Sequence, residues 1–137
     1  MSIELQGLED VLQSLDNIVD IQKINMAVGR ACALVERSAK QKAPKDTGEL
    51  RRSISSKVED GVGVVFTPLE YAPYVEYGTG LFAESGGRSD VPWNYQDDAG
   101  EWHSTSGQKP QPFMRPALDE NREQIIRIIK EGITEND

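Results

Sequence analysis

The chain has 137 residues, of which 37% are hydrophobic and 28% charged, values that are ordinary for one soluble globular domain. Its formal net charge of −8 argues against tight binding to nucleic acid, which needs clustered Lys and Arg. No apolar run approaches the ~20 residues that a membrane span needs, and the N-terminus lacks the features of a signal peptide. We therefore expect a single domain over residues 1–137 that stays in the cytosol where it is made.

Helical spacing of apolar residues dominates the first part of the chain. It predicts one amphipathic helix over residues 8–19 and a second that starts from about Asp20, a candidate N-cap. The apolar face of the second helix falls over residues 24–39. Pro44 ends the second helix, because the residue before a proline disfavours helical backbone. Cys32, the only cysteine, falls in this apolar pattern and is predicted to be buried. Small residues in the pattern predict close packing of another element: Ala27, Gly29, Ala31, Ala33 and Ala39.

A loop and a β-hairpin are predicted next. In the loop over residues 43–50, Asp46 or Thr47 is expected to cap a short helical turn that follows it. Two strands are predicted, and the Glu59-Asp60-Gly61 sequence between them suits a tight hairpin turn. The strands are predicted over residues 54–58 and 62–66.

Residues 81–112 change in composition, since Gly, Ser, Asp and Pro dominate there. A structureless loop of this length is uncommon in a compact domain and is usually functional. Trp93, Tyr95 and Trp102 flank a Gly-containing turn and predict an extended hairpin that needs a neighbour to pack on.

The C-terminal part predicts a last helix, entered at Phe113 with Pro116 in its first turn. Its apolar side is predicted to form part of the core and comprises Leu118, Ile125, Ile126, Ile128, Ile129 and Ile133.

Catalytic signals are weak. Asp46-Thr47-Gly48 resembles the tripeptide of aspartic proteases, in which a homodimer pairs two aspartates. Here it follows a helix, a proline and a lysine, where those enzymes have an apolar strand. His103 is the only histidine, so no second histidine or cysteine pair is present to form a zinc site. We expect no catalytic residue, no cofactor and no metal, and the protease dimer using Asp46 is kept as an alternative.

The aromatic segment over residues 71–80 is more informative. Tyrosine and tryptophan supply rigid, amphipathic contact area at interfaces, and this segment holds Tyr71, Tyr74 and Tyr77. Glu76 lies among them and needs a partner if buried, for which Arg51 or its neighbour Arg52 is a candidate.

Three ordered segments, residues 43–54, 71–79 and 107–118, together resemble a family of tailed-bacteriophage neck proteins. Members are called head–tail connector, head–tail joining or tail-completion proteins. The segments read Ala-Pro-Lys-Asp-Thr-Gly-Glu-Leu-Arg-Arg-Ser-Ile, Tyr-Ala-Pro-Tyr-Val-Glu-Tyr-Gly-Thr and Gly-Gln-Lys-Pro-Gln-Pro-Phe-Met-Arg-Pro-Ala-Leu.

The resemblance implies an α+β fold similar to tail terminators. One head–tail joining domain would comprise N-terminal helices, a small and mostly antiparallel sheet with a long extended hairpin, and a C-terminal helix. Residues 81–112 would project from it. The resemblance also implies a virion protein without enzyme activity, assembled in the host cytoplasm as a homo-oligomeric ring, for which a hexamer is favoured.

Implied partners are the neighbouring connector or stopper proteins and the tail-tube or terminator proteins, with no membrane. DNA would pass the acidic lumen without specific binding. A tail terminator that caps the tail tube and a cytosolic adaptor without a virion role remain alternatives. Subunit-contact or architectural roles are expected at Asp46, Thr47, Gly48, Leu50, Arg51, Tyr71, Tyr74, Glu76, Tyr77, Gly78, Thr79, Trp93, Trp102 and Phe113.

Overall fold

The computed structural model describes residues 1–4, 21–45, 48–84, 86–87 and 90–134. It divides into two compact units. Unit 1 comprises Met1–Leu69 and Phe113–Asp137, and unit 2 comprises Glu70–Pro112. The predicted α+β class is confirmed, with helices near both ends of the chain and small antiparallel sheets. The predicted helix over residues 8–19 and its Asp20 cap lie outside the described residues.

Unit 1 contains a three-stranded antiparallel sheet in the order β1-β3-β2. The strands are β1 (Ser2–Glu4), β2 (Ser55–Glu59) and β3 (Val62–Phe66). The predicted hairpin is confirmed, with β2 starting one residue later than expected because Ile54 ends the preceding helical turn. Asp60 and Gly61 both have positive φ, at 51° and 79°, as the tight turn between right-twisted strands requires. Strand β1 was not predicted, since three residues are too few to show an alternating pattern.

The long helix α1 (Ile21–Lys42) organises this unit. It packs against β2, β3 and the C-terminal helices, so apolar side chains cover a broad stripe of its surface. Gly132 lies so close to it that an added Cβ would come 2.7 Å from the Cβ of Ala27. The predicted close approach at small residues is therefore confirmed at Ala27. Buried residues of the helix are Ile24, Ala27, Val28, Ala31, Cys32, Val35 and Ala39.

The C-terminal helix differs from prediction because it is divided into α4 (Met114–Asp119) and α5 (Arg122–Thr134). The Asn121 side-chain amide donates to the Ala117 carbonyl at 2.7 Å, which satisfies that carbonyl locally where the helix is interrupted. On α5, Ile125, Ile129 and Ile133 are buried, whereas Ile126 is exposed. The predicted core position of Ile126 is wrong, because the buried stripe follows a spacing of four residues.

Unit 2 contains the short helix α3 (Ala72–Tyr77), a 3₁₀ turn at Gly80–Phe82 and the hairpin of β4 (Trp93–Gln96) and β5 (Trp102–Thr105). Unit 1 also has the short helix α2 (Glu49–Ser53) between α1 and β2. The predicted hairpin of residues 93–102 is confirmed, with Gln96 opposite Trp102 in the register. Across the described ranges of the chain, no helix is both long and apolar enough to span a membrane.

Candidate assembly surface

Helix α3 has one buried face and one exposed face that carries an aromatic side chain. Pro73 sits in its first turn, where the missing N–H costs nothing, so the sequence can form a helix here despite the proline. Ala72 and Glu76, four residues apart, are both buried, with Glu76 at 0% exposure. Tyr74 lies on the opposite side and is 60% exposed. The helical spacing thus directs the tyrosine ring into solvent while it buries the carboxylate.

Two chain segments of unit 2 are joined by a backbone clamp. The Thr79 amide donates to the Gln108 carbonyl at 2.9 Å, and the Gln108 amide donates back to the Thr79 hydroxyl at 2.9 Å. The Leu81 amide donates to the Ser106 carbonyl at 2.9 Å, and the Gln111 amide to the Val75 carbonyl at 2.8 Å. We call the paired residues 75–81 and 106–111 the clamp.

Glycine is required inside the clamp, because the backbones approach too closely for a side chain. Gly78 has a φ of 83°, and an added Cβ would lie 2.9 Å from the Phe82 carbonyl oxygen. At Gly80 an added Cβ would lie 2.7 Å from the ring of Trp93. Trp93 therefore covers the glycine at the base of the hairpin, which explains why this tryptophan is less exposed than Trp102.

The clamp and α3 border an open groove of about 530 Å³. Its lining includes Pro73, Tyr74, Tyr77, Ala83 and Gly87. The groove is mostly apolar in its lining residues, and two of the exposed tyrosines form part of its wall.

Large exposed apolar side chains are frequent in unit 2. Trp102, at 69% exposure, is the most exposed of them. Leu81 and Phe82 were not among the predicted contact residues, and Tyr95 was predicted only as part of the hairpin. The positions of Leu81 and Phe82 directly after Gly80 were the available signal. We call the exposed aromatic residues of unit 2 the exposed aromatic set: Tyr71, Tyr74, Tyr77, Phe82, Tyr95 and Trp102.

The remaining predicted positions fall in unit 1. Gly48 precedes α2 with a φ of 74°, and its carbonyl accepts from the Arg52 amide at 3.0 Å. Leu50 and Phe113 are buried core residues. The Nε of Arg51 is buried and has no hydrogen-bond partner within the described ranges. Asp46 and Thr47 lie outside the described residues, so their predicted capping role stays a prediction, as does the pairing of Glu76 with Arg51 or Arg52.

The subunit-contact roles expected at the predicted positions stay predictions. The structure brings Tyr74, Tyr77, Gly78 and Thr79 together around the groove. It places Leu50 and Phe113 in the core of unit 1, where an architectural role fits better than a contact role.

Residues 7–78, more than half of the chain, match the model of the family described as "Bacteriophage HK97-gp10, putative tail-component". The chain belongs to this family of phage tail components, which confirms the resemblance to tailed-phage proteins. It is therefore a structural virion protein related to the phage tail, and as such interacts with other virion proteins. Searches of curated proteins and of solved structures gave no significant match to the chain.

Proposed function

We infer that the chain completes the tail at the phage neck, where copies of it form a head–tail joining ring. Family membership supports a tail-related structural role. The observation that carries the more specific proposal is the exposed aromatic set, which leaves large apolar side chains of unit 2 in solvent. Tyrosine and tryptophan are the residues that most often dominate the energetics of protein–protein contacts. These side chains are the proposed contact with a neighbouring copy or with the next ring.

The clamp supports this proposal by fixing the ends of the presenting segment. Its backbone hydrogen bonds hold residues 75–81 against residues 106–111, so the hairpin starts from a defined base. A contact surface that is ordered before binding loses less conformational entropy on association. In the proposed assembly the whole chain acts as one joining domain, and residues 81–112 project to a neighbouring subunit.

Net charge supports a location around the DNA path. The formal net charge is −8, so a ring of several copies carries a strongly negative total charge. Where acidic residues face the lumen, they repel the DNA backbone and allow DNA to pass without adhering. We favour a hexamer, with connector or stopper proteins on one side and tail-tube or terminator proteins on the other.

Imaging the purified protein alone and with tail tubes tests the proposal. Negative-stain micrographs are expected to show rings with countable subunits, attached to tube ends or to connector-bearing heads. A protein that stays monomeric with either partner contradicts the proposal. A ring that binds tube ends and stops tube growth without heads identifies a tail terminator instead.

A substitution in the exposed aromatic set tests the proposed contact. Trp102→Ala is expected to weaken self-association or partner binding by at least about tenfold, since a contact hot spot contributes about 2 kcal/mol or more. Met26→Ala is a matched control, because Met26 in unit 1 is 61% exposed and also carries a large apolar side chain. Light scattering after size-exclusion chromatography measures both. Equal effects of the two substitutions would remove the assignment of the contact to unit 2.

A further inference from the structure

The tip of the β4–β5 hairpin gathers two carboxylates and the imidazole of the chain's one histidine. Asp97 and Glu101 belong to the turn, and His103 lies on β5 opposite Tyr95. One potential ligand atom from each of Asp97, Glu101 and His103 lies within 4.8 Å of the other two. In sequence the three residues have no familiar metal-site spacing. Only the pairing of the two strands brings the imidazole beside the carboxylates.

Contacts orient two of the three side chains, those of Asp97 and His103. The Oδ1 atom of Asp97 accepts the Ala99 amide at 2.9 Å and the Glu101 amide at 2.8 Å, so Oδ2 remains for the imidazole. Oδ2 lies 2.6 Å from the Nε2 atom of His103. The His103 ring stacks on Tyr95, with ring centroids 5.3 Å apart and 28° between the planes.

The turn itself is closed by further hydrogen bonds. The Asp97 amide donates to the Glu101 carbonyl at 2.9 Å, and the Gln96 side-chain amide donates to the Gly100 carbonyl at 2.9 Å. These two contacts fix the backbone of the turn that carries Asp97 and Glu101.

Electrostatics favour a cation at this position. Asp97, Asp98 and Glu101 place three carboxylates within five consecutive residues. A divalent ion placed among these carboxylates would reduce the repulsion between their charges.

We propose that Asp97, Glu101 and His103 bind a divalent first-row transition-metal ion at the hairpin tip. A ligand set of two carboxylate oxygens and one imidazole nitrogen suits Zn²⁺, which commonly takes three protein ligands and completes its shell with water. Mg²⁺ and Ca²⁺ prefer oxygen ligands alone, so the imidazole disfavours them. The ion takes the place of the hydrogen between Nε2 and Oδ2. A neutral ring then carries its hydrogen on Nδ1 instead, and a protonated ring keeps the Nδ1 hydrogen and gives the Nε2 proton to solvent. The bound ion joins the turn to β5 and stiffens the tip of the projecting segment.

Zinc titration of the full chain tests this site, with ZnCl₂ as the probe. Because His103 is the only histidine, its imidazole signals in an NMR spectrum report on the site without ambiguity. Isothermal titration calorimetry is expected to give one zinc per chain, and the imidazole ¹⁵N resonances are expected to shift in step with it. MgCl₂ at the same concentration is expected to leave the imidazole resonances in place.

Conservative substitutions separate a defined site from general attraction to negative charge. Glu101→Gln removes a ligand but keeps the backbone amide that orients Asp97, and is expected to weaken zinc binding at least about tenfold. His103→Ala is expected to abolish it. Asp98→Asn is the matched control, since it removes the same charge from the same turn outside the ligand set, and is expected to change the affinity less than twofold.

Circular dichroism shows whether the fold of each variant persists without zinc. Tryptophan fluorescence, which comes from Trp93 and Trp102, shows whether the hairpin that holds both persists. Equal loss of affinity in Glu101→Gln and Asp98→Asn would overturn the proposal in favour of diffuse charge attraction. Absence of an imidazole shift at saturating zinc would overturn it as well. Neither outcome depends on ring formation, so the metal site and the proposed function stand or fall separately.

Discussion

The two units differ in where they place their apolar side chains. Unit 1 buries an apolar core around α1, which includes Val28, Val35, Val65, Phe113 and Ile129. In unit 2, Ala72 is the one buried hydrophobic residue among those the structure describes, while the exposed aromatic set lies in solvent. Unit 1 therefore has the hydrophobic burial that stabilises a fold, whereas in unit 2 backbone hydrogen bonds join the chain segments and most large apolar side chains lie in solvent.

The largest expected effect comes from removing a core aromatic of unit 1. Phe113→Ala is expected to lower the free energy of unfolding by about 3–5 kcal/mol, because Phe113 is fully buried and its removal leaves a cavity. Chemical denaturation followed by circular dichroism measures the change.

Trp102→Ala is the counterpart in unit 2 and is expected to change the same free energy by less than about 0.5 kcal/mol, as exposed positions usually do. A loss of unfolding free energy comparable to that of Phe113→Ala would show that the hairpin side chain belongs to a core. It would contradict the difference in hydrophobic burial between the two units.

Alanine substitutions at two glycines in the helices of unit 1 are expected to change the free energy of unfolding by smaller amounts, and in opposite directions. Gly132→Ala is expected to destabilise the protein by about 1–2 kcal/mol, because its Cβ would overlap that of Ala27. Gly29→Ala is the control, since its Cβ would lie 3.8 Å from Val58, an ordinary contact. Replacing glycine inside a helix there is expected to stabilise by about 0.5–1 kcal/mol. Thermal unfolding measures the change in stability of both variants. Changes of the same sign would contradict the close packing at Gly132.

Removing one hydrogen bond from the clamp is expected to have a local effect. Thr79→Val keeps the shape of the side chain but removes the hydroxyl that accepts the Gln108 amide, at a cost of about 1 kcal/mol. Hydrogen exchange is expected to accelerate at residues 106–111 and to stay unchanged in α1.

Thr105→Val serves as the control, because the Thr105 hydroxyl accepts the nearby Gly107 amide at 3.0 Å, a bond that does not join the two segments. Its loss is expected to accelerate exchange at the Gly107 amide and to leave the Thr79 and Gln108 amides unchanged. Faster exchange across α1 in the Thr79 variant would show that the clamp stabilises unit 1 as well.

The smallest effect concerns the chemistry of Cys32 in the core of unit 1. Burial first, and the nearby Glu36 carboxylate second, raise the pKa of the thiol to about 11. The folded state thus holds this proton more tightly than the unfolded chain, so this group's contribution to stability is present below its ordinary pKa and is lost as pH rises toward 11. Iodoacetamide at pH 8 is expected to leave Cys32 unmodified until denaturant is added. Rapid alkylation of the native protein, detected by mass spectrometry, would contradict its burial.

Periodicity predicted the elements of unit 1 because their packing follows local rules. The stripe of α1, the tight turn at Asp60-Gly61 and the buried Cys32 all follow from spacing or turn chemistry in consecutive residues. The same rules failed at Ile126, where four apolar residues in close succession did not indicate which of them face the core. Strand β1 was missed because its pairing with β3 joins residues distant in sequence.

Unit 2 was harder to predict because long-range backbone contacts shape it. The tyrosines of the segment over residues 71–80 were predicted to be contact residues, which stays a prediction. Their helix was not predicted, since Pro73 interrupts the helical pattern at its start. The sequence next to each residue does not indicate that Thr79 and Gln108 form hydrogen bonds with each other, or that the ring of Trp93 packs on Gly80. The cluster of Asp97, Glu101 and His103 likewise emerges only when the hairpin register is known.

The clamp also bears on how sequences of this kind can diverge. Because the Leu81 amide bonds to the Ser106 carbonyl, the chain between them leaves and returns at one place. Lengthening a loop whose ends are tied costs little, since the closure entropy grows only with the logarithm of its length, by about 0.6 kcal/mol per doubling. The segment between Leu81 and Ser106 can therefore be replaced, shortened or extended while the hydrogen bond between these two residues persists. We expect a tail component built in this way to acquire a new neighbour by replacing the residues between Leu81 and Ser106, without redesign of the helices and sheet that fold the rest.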